Sequence, residues 1–112
     1  MPRTILIADD DRQLRRTVRA YLEDAGFSVL VAENGREALF RVRQEQPDLV
    51  LLDVMMPGSM DGLEMCRRLR AQPATAQVPI ILLTARGQQS DIDAGHQAGA
   101  DSYLTKPFSP ME

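Results

Sequence analysis

In Leu49-Val50-Leu51-Leu52-Asp53, four consecutive aliphatic residues are followed by a carboxylate. A short continuous apolar run is typical of a strand buried on both faces, as in a parallel sheet. The carboxylate then lies at the tip of that strand, and a turn follows it at once. Ile5-Leu6-Ile7-Ala8 precedes the acidic run at 9–11 in the same way, and Lys106 follows another strand-like segment. We therefore expect acids and one base from the ends of separate strands to form a single site.

Apolar runs alternate with segments of helical period along the chain. Strands are predicted at Thr4–Ala8, Phe27–Ala32, Leu49–Asp53, Val78–Thr84 and Ala100–Leu104. Helices are predicted from the Asp11 cap to the residue before Gly26, from the Asn34 cap towards Pro47, from about Gly62 to Gln72, and from about Gln88 to Ala98. This alternation with short connections favours a parallel sheet with helices on both faces. The expected fold class is α/β, a flavodoxin-like doubly wound sheet of five strands in the order 2-1-3-4-5.

Length and composition limit the classes of protein that the chain can represent. A length of 112 residues suits one domain, and 44% hydrophobic and 26% charged residues are ordinary for a globular protein. With a net charge of -3, no overall basic character argues for binding to nucleic acid. The single cysteine, Cys66, cannot form an internal disulfide or a cysteine zinc site. No apolar stretch approaches the ~20 residues of a membrane span, and the N-terminus runs directly into a strand, so we expect no membrane contact, no signal peptide and a cytoplasmic location.

Acidic residues are expected to meet at one edge of the sheet. Asp9 and Asp10 follow the first predicted strand, and Asp53 ends the third. In the expected strand order these two strands are neighbours, which would bring Asp10 and Asp53 within a few ångströms of each other. Carboxylates crowded in this way repel unless a cation lies between them. Mg²⁺ prefers oxygen ligands and keeps waters for a phosphate-bearing substrate, so it is the expected cofactor.

The remaining polar residues at this edge suit an anion. Lys106 supplies a positive charge that could hold an anion against Asp53. The Thr84 hydroxyl and the backbone N–H of Ala85 could donate hydrogen bonds to a bound oxyanion. A carboxylate nucleophile, a metal and anion-binding donors together favour phosphoryl transfer.

Five segments, in order along the whole chain, resemble the receiver domain of a two-component response regulator. They are Asp9-Asp10, Asp53-Val54-Met55-Met56-Pro57, Met60-Asp61-Gly62, Thr84-Ala85, and Gly99-Ala100-Asp101 through Lys106-Pro107. Each is a weak signal alone, but the complete set at the family's spacing is specific. The resemblance implies a phosphorylation-controlled switch rather than an enzyme, with only self-catalysed phosphorylation and dephosphorylation.

The resemblance also implies a role for each matching residue. Asp53 would accept the phosphoryl group, and Asp9, Asp10 and the backbone carbonyl of Met55 would complete the Mg²⁺ site, with Mn²⁺ as a possible substitute. Lys106 would contact the phosphoryl oxygens. Thr84 and Tyr103 would be the switch residues, with Tyr103 turning inward. The implied donor is a histidine kinase or a phosphotransfer protein, and a homodimer through the face of the fourth helix and fifth strand is possible.

The sequence departs from the family's pattern in two places. Gly58 and Ser59 both separate the proline from the Met60-Asp61-Gly62 segment, where the family usually has one residue. Residues 109–112 are all that remains for the family's fifth helix, so we expect that helix to be truncated or missing. The expected organisation is a single receiver domain over residues 1–112 with an incomplete C-terminal helix.

Two alternatives belong to other functional classes. Asp9-Asp10-Asp11 superficially fits the Asp-x-Asp start of haloacid dehalogenase-like phosphatases, in which the nucleophile follows the first strand. Gln13 stands where those enzymes have threonine or valine, and their cap insertions find no room. The second alternative is a receiver-like interaction module that keeps the fold and is never phosphorylated.

Overall fold

The computed structural model describes residues 3–56, 58, 60–85 and 89–106. Strands and helices alternate along the chain as β1 (Thr4–Ala8), α1 (Arg12–Asp24), β2 (Ser28–Ala32), α2 (Gly35–Glu45), β3 (Leu49–Asp53), α3 (Gly62–Arg70), β4 (Ile80–Ala85), α4 (Gln89–Ala98) and β5 (Ser102–Lys106). The fifth helix, which the sequence analysis expects to be truncated or missing, could occupy only residues 109–112, and these lie outside the described residues.

The five strands form one parallel sheet in the order β2-β1-β3-β4-β5. The register places Ala8 of β1 opposite Leu52 of β3, and Asp53 opposite Leu83 of β4. The carboxyl ends of the three central strands therefore lie at one edge of the sheet. This topology confirms the fold class predicted from the sequence.

Apolar side chains pack on both faces of the sheet, because successive residues of a strand point to opposite sides. Leu6, Leu52 and the inner faces of α2 and α3 form one cluster. Ile7 and Leu83 belong to a second cluster with Val18 of α1 on the other face. Continuous apolar runs are needed in the central strands because both faces are covered.

The three helices that begin beside loops of the site all have the side-chain caps expected from the sequence. Asp11 accepts hydrogen bonds from the N–H groups of Gln13 and Leu14. Asn34 and Asp61 each accept one from the residue three positions on. These bonds satisfy N–H groups that a helix start leaves without an internal partner.

Several predicted boundaries are wrong by one or two residues, for identifiable reasons. Phe27 does not begin β2, because its N–H donates to the Leu22 carbonyl and so closes the last turn of α1. Pro79 has no N–H, and β4 begins at Ile80, whose N–H donates to the Asp101 carboxylate at 2.8 Å. At their carboxyl ends, β4 and β5 extend one and two residues further than predicted.

The glycine inside α4 lies where the helix meets the sheet. Gly95 is buried, and a Cβ there would overlap the end of the Leu82 side chain. A glycine inside a helix costs about 1 kcal/mol relative to alanine. Here its missing side chain allows α4 to pack closely on β4. Among the described residues, none of the helices has the length and apolar character needed to cross a membrane.

Candidate functional site

Three carboxylates converge at the carboxyl ends of β1 and β3. Asp9 directly follows β1 and is fully buried, and Asp53 ends β3 and is 5% exposed. Asp10 is exposed beside them. One carboxylate oxygen from each residue lies within 4.8 Å of the others. The sequence prediction that Asp10 and Asp53 lie close together is therefore correct.

Backbone hydrogen bonds orient the two buried carboxylates. Oδ1 of Asp9 accepts the N–H of Asp11 at 2.9 Å, and Oδ1 of Asp53 accepts the N–H of Met55 at 3.2 Å. Each acid is thus held by the N–H two residues further along the chain, in the manner of an Asx turn. Arg15 of α1 donates to the backbone carbonyl of Asp9 at 2.6 Å, which ties the first helix to the site.

The composition of this cluster fits a small divalent cation. Two unit charges 4.8 Å apart repel by about 3 kcal/mol at an effective dielectric constant of 20. A hard cation that binds carboxylate oxygens removes that repulsion. Because Asp10 is exposed while Asp9 and Asp53 are buried, the cluster also has a side that opens to solvent. A metal held there can keep waters for an incoming substrate.

The Thr84 hydroxyl is buried next to this cluster. Leu83 pairs with Asp53 in the sheet, so Thr84 lies one residue beyond the acid along the neighbouring strand. Thr84 is 1% exposed, and within the described residues its Oγ1 makes no hydrogen bond. A buried polar group without a partner costs roughly 1–3 kcal/mol, so such groups are rare and call for an explanation. A ligand oxygen at the edge of the sheet would supply the missing partner.

The other predicted site residues are placed by the backbone of β4 and β5. Ala85 ends β4 and pairs in register with Lys106, which ends β5. The side chain of Lys106 lies outside the described part of the chain. Tyr103 is 40% exposed, and its ring meets the ring of His96 edge-on with centroids 6.0 Å apart. The sequence analysis did not identify this contact, because no local pattern links His96 to Tyr103.

The loop from Val54 to Asp61 follows the nucleophile candidate. Val54 donates to the Leu83 carbonyl at 3.0 Å and accepts from the Gly62 N–H at 3.1 Å. The Met55 side chain is 70% exposed, whereas Met56 and Met60 are buried. Gly58 has a φ of 96°, a conformation that favours glycine. Pro57 and Ser59 lie outside the described residues.

Comparison with known proteins identifies the family. The protein-family model named response regulator receiver domain matches residues 5–112. The chain belongs to this family. The prediction made from the five motifs is confirmed, and the phosphatase alternative, with its nucleophile after β1, is set aside.

Relatives agree with this membership in sequence and in structure. The receiver is 47% identical over 108 residues to the transcriptional regulatory protein ResD of Bacillus subtilis, a match that covers 96% of this chain and 43% of ResD. It superposes with a TM-score of 0.92 on the chemotaxis response regulator CheY4 of Vibrio cholerae, at 34% identity, covering 99% of this chain and 92% of CheY4.

A third match bears on the acidic cluster. The receiver domain of the sensor histidine kinase PA1611 from Pseudomonas aeruginosa, solved with a magnesium ion coordinated in its active site cleft, has a TM-score of 0.88 at 33% identity, over 97% of this chain and 88% of that domain. The chain spans about half the length of the curated relatives it matches. The matches show that the chain is a receiver domain of the two-component response regulator family.

Proposed function

We propose that Asp53 accepts a phosphoryl group as an acyl phosphate, in a site where Asp9, Asp10 and the backbone carbonyl of Met55 hold Mg²⁺. The observation that carries this proposal is the convergence of three carboxylates within 4.8 Å, with Asp53 at the tip of a central strand. Bound Mg²⁺, or Mn²⁺ in its place, would neutralise charge on the transferred group. The whole of residues 1–112 is proposed to act as one receiver unit.

In the proposed reaction, an Asp53 carboxylate oxygen forms a bond to phosphorus while the phosphorus–nitrogen bond of a phosphohistidine breaks. The leaving imidazole nitrogen keeps the electron pair of that bond. The Met55 N–H fixes the carboxylate by its bond to Oδ1. Lys106 is proposed to contact the phosphoryl oxygens, as its place at the end of β5 favours. Loss of the phosphoryl group to water, assisted by the same site, would reset the switch.

The proposed readout begins at Thr84. Its buried hydroxyl would donate to a phosphoryl oxygen, and the backbone N–H of Ala85 would add a second donor. Hydrogen bonds to charged groups contribute roughly 1.5–3 kcal/mol each, so two or three of them approach the ~5.5 kcal/mol that inverts a 1:99 equilibrium. Tyr103, which is exposed here against His96, would move with Thr84 and change the surface of α4 and β5. That surface is the proposed site of homodimer formation.

We propose that the phosphoryl group comes from a histidine kinase or a phosphotransfer protein in the cytoplasm. A basic stripe on α1 supports a donor that is a protein. Arg12, Arg15, Arg16 and Arg19 share one face of the helix and line a shallow groove with Val31. Arg15 also contacts Asp9, so the stripe begins at the acidic cluster. A donor surface with acidic residues would be attracted to this face and delivered to Asp53.

The proposed output lies outside this receiver. ResD is named a transcriptional regulatory protein, and this chain matches less than half of it. We propose that phosphorylation of Asp53 controls a transcriptional output through the α4–β5 surface. The receiver itself, with a net charge of -3, is not proposed to bind nucleic acid.

The experiment that tests the function is labelling with acetyl phosphate, followed by intact-mass measurement. In the presence of Mg²⁺ the protein should gain one phosphoryl group, and chelation of the metal should prevent the gain. Asp53→Asn should abolish labelling, whereas the control Asp24→Asn, at an exposed position at the end of α1, should be labelled like the natural sequence. Equal labelling of both variants would reject Asp53 as the acceptor. No labelling of any of them would favour the receiver-like interaction module.

A further inference from the structure

At each end of the loop at 54–61, a glycine at the start of a helix lies in close contact with the backbone of another segment. Gly62 is the first residue of α3, and a Cβ there would overlap the carbonyl oxygen of Asp53, lie 2.9 Å from its carbonyl carbon and 3.0 Å from the Cα of Val54. Gly35 is the first residue of α2, and a Cβ there would overlap the carbonyl oxygen of Met60.

These glycines are required for space rather than for backbone conformation. The described glycines with positive φ are Gly26, Gly58 and Gly99, so neither helix-start glycine belongs to that group. Glycine at a helical position costs up to about 1 kcal/mol relative to alanine. Glycine is nevertheless needed at both positions, because a backbone carbonyl group lies where the Cβ of any other residue would be.

A side chain at Gly62 would act directly on the nucleophile. The atoms that it would meet belong to the backbone of Asp53 and Val54, which cannot rotate away as a flexible side chain can. The Gly62 N–H also donates to the Val54 carbonyl at 3.1 Å. The residue after Val54 is Met55, whose N–H donates to Oδ1 of Asp53 at 3.2 Å. A shift of Gly62 would therefore displace the Asp53 carboxylate in two ways. It would push on the backbone carbonyl of Asp53, and it would move the Met55 N–H that binds Oδ1 of Asp53.

The geometry points to Gly62 and Gly35 as positioning residues for the phosphoryl-acceptor site. This inference rests on the proposed function of Asp53. Gly62 sets how closely α3 approaches the end of β3, and Gly35 sets how closely the far end of the loop approaches α2. Together they fix the loop that carries Met55 between two helix starts.

The test compares three glycine-to-alanine variants that all introduce a crowded methyl group. Gly62→Ala and Gly35→Ala act on the loop. Gly95→Ala is the matched control, because its methyl group would meet the end of the Leu82 side chain, with Leu63 at 4.0 Å, and none of its three nearest atoms belongs to residues 53–61. Three quantities are measured for each: the Mg²⁺ dissociation constant by calorimetry, the maximal labelling rate with acetyl phosphate, and the amide NMR shifts of Asp53 and Met55.

Gly62→Ala is expected to weaken Mg²⁺ binding, to displace the Asp53 and Met55 amide signals, and to lower the maximal labelling rate by about 10–100-fold, since a 1 Å misplacement can cost that much. Gly35→Ala should change the same three quantities by a smaller factor, because it acts at the far end of the loop. Gly95→Ala should leave the Mg²⁺ dissociation constant and the labelling rate unchanged, whatever its effect on unfolding.

A folded Gly62→Ala protein with unchanged Mg²⁺ binding and labelling rate would overturn the inference. So would equal losses in Gly62→Ala and Gly95→Ala, since that result would reflect general destabilisation. If Gly62→Ala does not fold, Gly35→Ala decides: weaker Mg²⁺ binding supports the inference, and unchanged binding refutes it. The natural sequence separates this inference from the proposed function, because failure of that protein to bind Mg²⁺ or accept a phosphoryl group would defeat both.

Discussion

Arg70, at the end of α3, is expected to contribute more to stability than any other surface arginine of that helix. Its guanidinium donates to the carbonyls of Gly99 at 2.8 Å, Ala76 at 3.2 Å and Val78 at 2.6 Å, and to the Asp101 carboxylate at 2.8 Å. One side chain thereby joins α3 to the segments that enter β4 and β5. It is 20% exposed.

The magnitude follows from the partners of Arg70. Hydrogen bonds that involve a charged group contribute roughly 1.5–3 kcal/mol each, but bonds that share one guanidinium are not additive. Asp101 is 58% exposed, so the ion pair itself adds at most about 1 kcal/mol. Some of the carbonyls will regain water once the guanidinium is removed. We therefore expect Arg70→Ala to lower the free energy of unfolding by about 3 kcal/mol, a large share of the ~5–15 kcal/mol typical of a domain.

Urea denaturation followed by circular dichroism measures this loss. With a slope of roughly 1–3 kcal/mol per molar urea, a loss of about 3 kcal/mol should lower the urea midpoint of Arg70→Ala by about 1–3 M. Arg67→Ala is the matched control, because Arg67 pairs only with Glu64, at 3.4 Å, among the described residues and is 54% exposed. Its midpoint should move by no more than a few tenths of a molar, as expected for a surface pair. Equal midpoints for the two variants would refute the role assigned to Arg70.

Three further outcomes are expected. Thr84→Val should leave the melting temperature unchanged or raised, because it removes a buried hydroxyl whose missing hydrogen bond costs roughly 1 kcal/mol of stability. The same variant should abolish the phosphorylation-induced change in the amide spectrum. A large fall in melting temperature would contradict this expectation. The double variant Arg12→Glu, Arg16→Glu should slow phosphoryl transfer from a histidine kinase about tenfold or more at low salt. Labelling by acetyl phosphate should stay unchanged. Equal effects on the two phosphoryl donors would exclude docking of the kinase on α1. The hydrogen bond from Arg68 lowers the pKa of Glu64 below its usual value of 4.5. Stability from this contact is present above the unfolded-state pKa and lost as the pH falls through the lower folded-state pKa, so Glu64→Gln should flatten the acid side of the urea-midpoint profile.

Patterns in the sequence were sufficient to predict the sheet and the meeting of Asp9, Asp10 and Asp53 at its edge. The apolar run at 49–52 is typical of a strand covered on both faces, so Asp53 after it was expected to lie at a strand tip. Asp11, Asn34 and Asp61 act as helix caps through bonds to residues two or three positions away, so their roles depend only on nearby sequence.

Contacts between distant segments carried no comparable signal. The Arg70 guanidinium reaches Gly99 and Asp101, 29 and 31 residues further along the chain, and no periodicity marks such a pairing. The Gly62 contact with the Asp53 carbonyl depends on where α3 begins relative to β3, which follows from packing rather than from local preference. The starts of β4 and β5 were misplaced because Ile80 and Asp101 bind each other across segments that the sequence pattern treats separately.

The most direct test of the acceptor site is to locate the phosphoryl group on the chain. After labelling with acetyl phosphate and Mg²⁺, borohydride reduction converts an aspartyl phosphate into homoserine, which tandem mass spectrometry of the peptides can assign to one position. The arrangement of Asp9, Asp10 and Asp53 predicts homoserine at position 53 and an unmodified aspartate at positions 9 and 10. Homoserine at position 9 or 10, with Asp53 unchanged, would contradict the account.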